Sequence, residues 1–186
     1  MKQPIKGDKK KNKKRSGNRG GRIGNSKKHS DYGTSGLERY FAENFLDRNG
    51  LRYIYQYHAR DIGRYYDFAV TADMTYPYIF ESVNGINAIK QDGQPFKIDF
   101  MIEVDGDWYH ANPEKIDESK LNPMQKHNRM VDRIKDRWCA LNGIPLLRIW
   151  EHDIRNNPSK VLSMMSKYTQ MASKKDRIRT LKKKPH

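Results

Sequence analysis

Twelve of the first 28 residues are Lys or Arg, against one acid and almost nothing apolar, and residues 174–186 carry seven against one. Segments of that kind bury too little apolar surface to offset the entropy of ordering, so folding is confined to the chain between them. Removing their nineteen basic and two acidic residues from totals of 37 and 22 leaves 18 and 20. The middle of the chain is therefore close to neutral, although the whole carries +15. The expected organisation is a disordered basic arm over 1–33, one domain over 34–172 and a basic tail over 173–186. Cationic arms attract polyanions by releasing counterions, which points to nucleic acid. Neither arm has an amphipathic apolar face and no stretch approaches membrane-spanning length, so a membrane is not the expected partner. The single Cys139 rules out an intramolecular disulfide or a multi-cysteine zinc site and reads as a buried structural thiol.

Between the arms, periodicity alternates between 3.6 and 2. Leu37, Tyr40, Phe41, Phe45 and Leu46 share one helical face over 35–48, with Thr34 or Ser35 as N-cap and Asn49-Gly50 as a stop. Residues 51–57 and 64–70 read as strands, and Asn84-Gly85 within 72–95 signals a tight hairpin. A long strand follows over 96–104, then irregular chain over 106–119. Residues 120–142 are helical after Pro123, with Met130, Ile134, Trp138 and Leu141 on one face. Gly143 stops that helix, 144–150 is a nearly continuous apolar strand expected in the centre of a sheet, and 157–172 is a last helix. The fold class is α/β (α+β): a mixed central sheet flanked by helices.

The strand over 96–104 raises the functional question. Phe96, Ile98, Phe100, Ile102 and Val104 point one way, and Lys97, Asp99, Met101 and Glu103 the other. Lys97 and Asp99 read as a solvated face. Glu103, Asp105 and Asp107 crowd the strand end, and their repulsion needs compensation that a divalent cation such as Mg²⁺ supplies. His110 follows a few residues later, near enough to take a proton from an attacking water. Acids, a cation and an imidazole together suit phosphodiester hydrolysis.

Four stretches in order resemble the very-short-patch repair (Vsr-like) endonucleases and the related EDxHD homing endonucleases, a branch of the PD-(D/E)XK nuclease superfamily. They are "GLERYFAENFLDRNGL", "YIYQYHARDIGRYYDFAV", "IEVDGDWYH" and "NRMVDRIKDRWCALNGIPLLRIWE", spanning about residues 35 to 162. The resemblance implies a restriction-endonuclease-like core and a Mg²⁺-dependent endonuclease acting on double-stranded DNA in the cytoplasm of a bacterial or phage-infected cell. It implies that Asp67 binds the metal with the backbone carbonyl of Val104, and that Asp105 approaches the metal or phosphate. By the same resemblance His110 activates water, Asp132 orients that imidazole and Glu38 holds metal-bound water. Asp99 is the rival metal-binding aspartate.

Two departures from the family stand out. The segment 72–95 is longer than in the repair enzymes and reads as an inserted hairpin, and the cysteines of their structural zinc are missing, so no zinc is expected. That favours a phage-type homing enzyme over a mismatch-repair nicking enzyme. Trp108 and Tyr109 either wedge into the DNA stack, as the family's aromatic residues do, or pack beneath their own loop. Lys126, Arg129, Arg133 and Arg137 form either a phosphate-binding edge or a solvated face. A non-catalytic DNA- or RNA-binding protein with a nuclease-like fold is the alternative from another class. Oligomeric state is not legible.

Overall fold

The computed structural model of the protein describes residues 36–182. The arm over 1–33 and the N-cap expected at Thr34 or Ser35 lie outside them.

Four strands form a mixed sheet in the order β1-β2-β5-β6. β1 (Arg52–Ala59) and β2 (Arg64–Thr71) make an antiparallel hairpin, β5 (Phe100–Asp105) lies antiparallel to β2, and β6 (Leu146–Trp150) runs parallel to β5. Between β2 and β5, β3 (Phe80–Val83) and β4 (Ile86–Ile89) form a separate two-stranded hairpin. It turns on Asn84 and Gly85, at φ of 52° and 80°, the pair of positive angles such a two-residue turn requires.

Helices cover both faces. On one, α1 (Gly36–Phe41) continues through a π-turn over Ala42–Leu46 and a 3-10 turn, ending at left-handed Gly50. Its Phe41, Ala42, Phe45 and Leu46 pack with Phe68, Val70, Phe100, Ile102, Leu147 and Ile149. α3 (Glu151–Asn156) and α4 (Pro158–Lys182) close that face with Ile154, Val161 and Met165. On the other, α2 (Pro123–Leu141) sets Trp138 and Cys139 against Ile54, Tyr66, Ala69 and Met101. Burial raises the pKa of the Cys139 thiol, as suits a structural cysteine. A mixed sheet flanked by helices is the architecture expected. No helix among the described residues is long and apolar enough to cross a membrane.

Several local expectations are corrected. Strand pairing starts at Phe100, and Phe96 and Ile98 join the α2-side core rather than that of Phe100, Ile102 and Val104. The cause is Asp99, whose carboxylate accepts the Ala72 N–H at 2.6 Å and pairs with Lys97 at 3.0 Å. The Asp99 side chain is thus a cap at the end of β2 rather than part of a solvated face. β6 is an edge strand; its apolar run is explained by helices above and below, with no second strand beside it among the described residues. Met130 and Leu141 are exposed, because the buried face of α2 is Gln125, Asp132, Trp138 and Cys139. α3 follows β6 directly, and α4 continues past the expected boundary at 172 to Lys182.

One irregularity positions the site. In β1, Tyr53 and Tyr55 face the α1 side, whereas Tyr57 and Ala59 face the α2 side. In β2, Phe68 faces the α1 side and Tyr66 the other. Both crossings fall where the ladder skips the Gln56–Asp67 position, and Gln56 adopts φ 54° there. A period of two cannot survive such a residue, so the strands change face.

Phe68 is fully buried among the rings of Phe41, Tyr53 and Tyr55, with centroids 5.3–5.7 Å away. Phe68→Ala is expected to cost about 3–5 kcal/mol in urea-denaturation midpoints with an unchanged m-value.

Candidate functional site

The site lies where β2 and β5 part. Their pairing ends at Phe68↔Ile102, so the next residues, Asp67 and Glu103, are not held by ladder bonds to each other. The Asp67 carboxylate fills the gap instead: Oδ2 accepts the Val104 N–H at 2.7 Å. Glu103, 2% exposed, sits on the α2 side of β5, where Lys135 meets its Oε2 at 2.6 Å. Its Oε1 is buried with no hydrogen-bond partner. Lys135 also lies over the Tyr66 ring at 5.4 Å.

Charge dominates this corner. Burial, then Glu103, then Glu38 push the Asp67 carboxyl well above the ordinary value of 3.8, and Lys135 only partly offsets them. Burial also raises Glu103 against the pull of Lys135. Glu38 is anchored at the same crossing, its Oε2 accepting from the Tyr55 hydroxyl at 2.6 Å and the Gln56 amide at 3.1 Å.

A second cluster begins two residues further along β5. His110 Nδ1 lies 3.0 Å from Asp132 Oδ2 and 3.6 Å from Asp105 Oδ1. The loop carrying His110 is built by its own polar residues. Asn112 and Lys115 both bind the Asp107 carboxylate, at 2.7 and 2.6 Å, so Asp107 is a loop-former and not part of an acidic metal cage. α2 then clamps the loop through Gln125 Nε2 to the Trp108 carbonyl at 2.7 Å and Asn128 Nδ2 to the Tyr109 carbonyl at 3.0 Å. Gln125 doubles as the partner of Asn122 in the helix capping box, so the start of α2 and the loop are fixed together.

Burial works against an imidazolium at His110, but the Asp132 bond and the Asp105 charge prevail and raise its pKa above 6.5. Asp132 is lowered, chiefly by His110 and Arg148 against the effect of burial. With Nδ1–H donated to Asp132, Nε2 of the neutral ring is the nitrogen left to take a proton.

Of the residues singled out in the sequence, His110 and Asp132 are in contact, and Asp67 and Val104 meet through the Val104 amide N–H, which donates to the Asp67 carboxylate. Asp105 is 1% exposed, and both its oxygens accept from Arg148 Nη1, at 3.0 and 2.8 Å. Among the described residues, Asp105, His110 and Asp132 are three side chains whose ligand atoms lie within 4.8 Å of one another, a set without Asp67. Trp108 and Tyr109 do not pack beneath their loop; their residues are 55% and 58% exposed. On α2, Lys126, Arg133 and Arg137 point outward, while Arg129 is half-buried, 3.9 Å from Glu118.

Two contributors were missed, Lys135 and Arg148. A lysine three residues from both Asp132 and Trp138 was the available signal for the first. Compared with protein-family models, curated proteins and solved structures, the chain matches none.

Two outcomes follow from these charges. The cost of ionising Asp67 is absent below its ordinary value of 3.8 and complete above its raised one, so this group's contribution to stability grows as pH falls through that window. Asp67→Asn, which keeps an acceptor for Val104, is expected to stabilise the metal-free protein by about 1 kcal/mol near pH 7, read as a higher thermal midpoint. The His110 contact stabilises fully below 6.5 and is lost as pH rises through the raised folded value. NMR titration of the ring is expected to give a midpoint above 6.5 that falls in Asp132→Asn.

Proposed function

We propose that the protein is a Mg²⁺-dependent endonuclease with a PD-(D/E)XK-like core, cleaving double-stranded DNA in the manner of a phage-type homing enzyme. The observation that carries this reading is the His110–Asp132 pair, at 3.0 Å, beside the buried Glu103 and half-buried Asp67 carboxylates, whose charge Lys135 only partly offsets. The orphaned Glu103 Oε1 and the raised Asp67 fit a hard divalent cation, which would be held by these two acids. When bound, Mg²⁺ would polarise the scissile phosphate and offset its charge.

The chain's own groups divide the remaining work. His110 Nε2 accepts a proton from the water whose oxygen attacks phosphorus, while the P–O bond to the leaving strand breaks and that oxygen takes a proton from solvent. Asp132 accepts Nδ1–H, fixing the tautomer and stabilising the imidazolium that forms. Lys135 holds Glu103 in place through Oε2, leaving Oε1 directed elsewhere. Glu38, held by Tyr55 and Gln56, keeps a further carboxylate close enough to raise Asp67. Outside this cluster, the exposed rings of Trp108 and Tyr109 suit insertion between base steps, and Lys126, Arg133 and Arg137 suit phosphate contacts. The +15 net charge favours a polyanionic substrate.

A non-catalytic nucleic-acid-binding role is the second reading. It is favoured by the cations already in place, since Lys135 and Arg148 partly neutralise Glu103 and Asp105 without any metal.

Supercoiled plasmid incubated with the protein and Mg²⁺ is expected to be nicked or linearised, with EDTA abolishing the reaction. Asp67→Ala is expected to remove it and His110→Ala to slow it by about 10²–10⁴-fold. The rate should rise with pH as the His110 imidazolium loses its proton, above 6.5. DNA that is retarded on a gel yet never cut at any Mg²⁺ concentration would favour the second reading.

A further inference from the structure

Asp105, His110 and Asp132 each offer a ligand atom within 4.8 Å of the others, a spacing that could hold a divalent ion. A guanidinium already occupies this charge. Arg148 Nη1 reaches both oxygens of Asp105, at 3.0 and 2.8 Å, and Nη2 lies 3.3 Å from Asp132 Oδ1. Its Nε donates to Asp136 Oδ1 at 3.0 Å. We infer that Arg148 is a built-in cation of the Asp105–His110–Asp132 cluster: it takes the place of a metal ion there, keeps one out, and holds Asp132 against His110.

Placement, geometry and charge each support this role. The parallel register sets Arg148 beside Glu103 and Trp150 beside Asp105, so β6 delivers a long side chain to the face that carries both acids and α2. Four of its polar contacts fall on three different carboxylates, and the planar fork is suited to such multiple engagement where a lysine is not. Asp105, 1% exposed, has no oxygen outside the pair. Any metal binding it must break that pair and strand a guanidinium that stays protonated at every pH the fold survives. The guanidinium thus offsets part of the charge of Asp105 and Asp132 whatever the metal supply.

Arg148 is a positioning residue, acting on His110 through Asp132. Its filling of the cluster stands independently of the proposed nuclease activity. One consequence rests on that activity: the catalytic ion is single and belongs to Asp67 and Glu103.

The full chain, labelled with ¹⁵N at histidine, can be titrated with Zn²⁺ while the ring nitrogens of His110 are followed by NMR, assigned with His110→Gln. In the wild type, His110 is expected to keep its metal-free shifts through several equivalents of Zn²⁺. Arg148→Met is expected to bind one further Zn²⁺ and move a His110 nitrogen to the position typical of coordination. Asp105→Asn/Arg148→Met should lose that response, and Arg148→Lys should suppress it at least in part. If Arg148→Met is unfolded without metal, Zn²⁺ should restore its fold. Coordination of His110 in the wild type overturns the inference. So does a folded Arg148→Met whose His110 signals stay still, or one that remains unfolded in saturating Zn²⁺. None of these readouts requires cleavage, so a protein without nuclease activity would still reveal whether Arg148 fills the cluster.

Discussion

The interaction on which the rest of the structure turns is the hydrogen bond from the Val104 amide to the Asp67 carboxylate. A strand ladder normally satisfies that amide through a main-chain carbonyl. Here a side chain substitutes, at the point where β2 and β5 part and where both β1 and β2 change face. Parting the strands without that acceptor would leave a buried N–H orphaned, at a cost of about 1–3 kcal/mol. With it, the sheet opens and carboxylates from different strands are held near one another. Gln56, at φ 54° on the neighbouring strand, completes the distortion and also binds Glu38.

The consequence is an excess of negative charge inside the domain, and α2 is shaped by it. Its inward residues are Gln125, Asp132, Lys135, Trp138 and Cys139, polar toward the N-terminal end and apolar toward the C-terminal end. The polar half meets the strand end and its loop; the apolar half meets Tyr66 and Met101. Lys135 and Arg148 each neutralise a different acid of β5, one from the helix and one from the edge strand. The strand end is thereby split into two compartments two residues apart. Glu103 and Asp67 keep an unsatisfied oxygen and raised pKa values, whereas Asp105 and Asp132 are closed by a fixed cation.

Much of the fold was legible because its signals are local. The helical stripe ending at Gly50, the β1–β2 hairpin, the Asn84-Gly85 turn and the start of α2 at Pro123 each depend on residues within a few positions. Errors arose where partners are distant. A continuous apolar run such as 144–150 marks burial on two faces, and helices produce that on an edge strand as well as neighbouring strands do on a central one. Met130 and Leu141 completed a plausible apolar stripe, yet the sheet beneath α2 ends in charges, so the helix turned Asp132 and Lys135 inward instead. Within the site, the contact between His110 and Asp132 joins residues that were picked out from the sequence, while Arg148, which holds both oxygens of Asp105, was not among them.

By itself, the sequence determined the types and order of most elements and the gathering of acids and an imidazole at one strand end. Those features follow from composition and from periodicities of two and 3.6, which are carried by near neighbours. Only the tertiary structure decided which cation meets which carboxylate. That pairing depends on the rotation of α2, the parallel register of β6 and the gap between β2 and β5, and all three are set by packing between segments far apart in the chain.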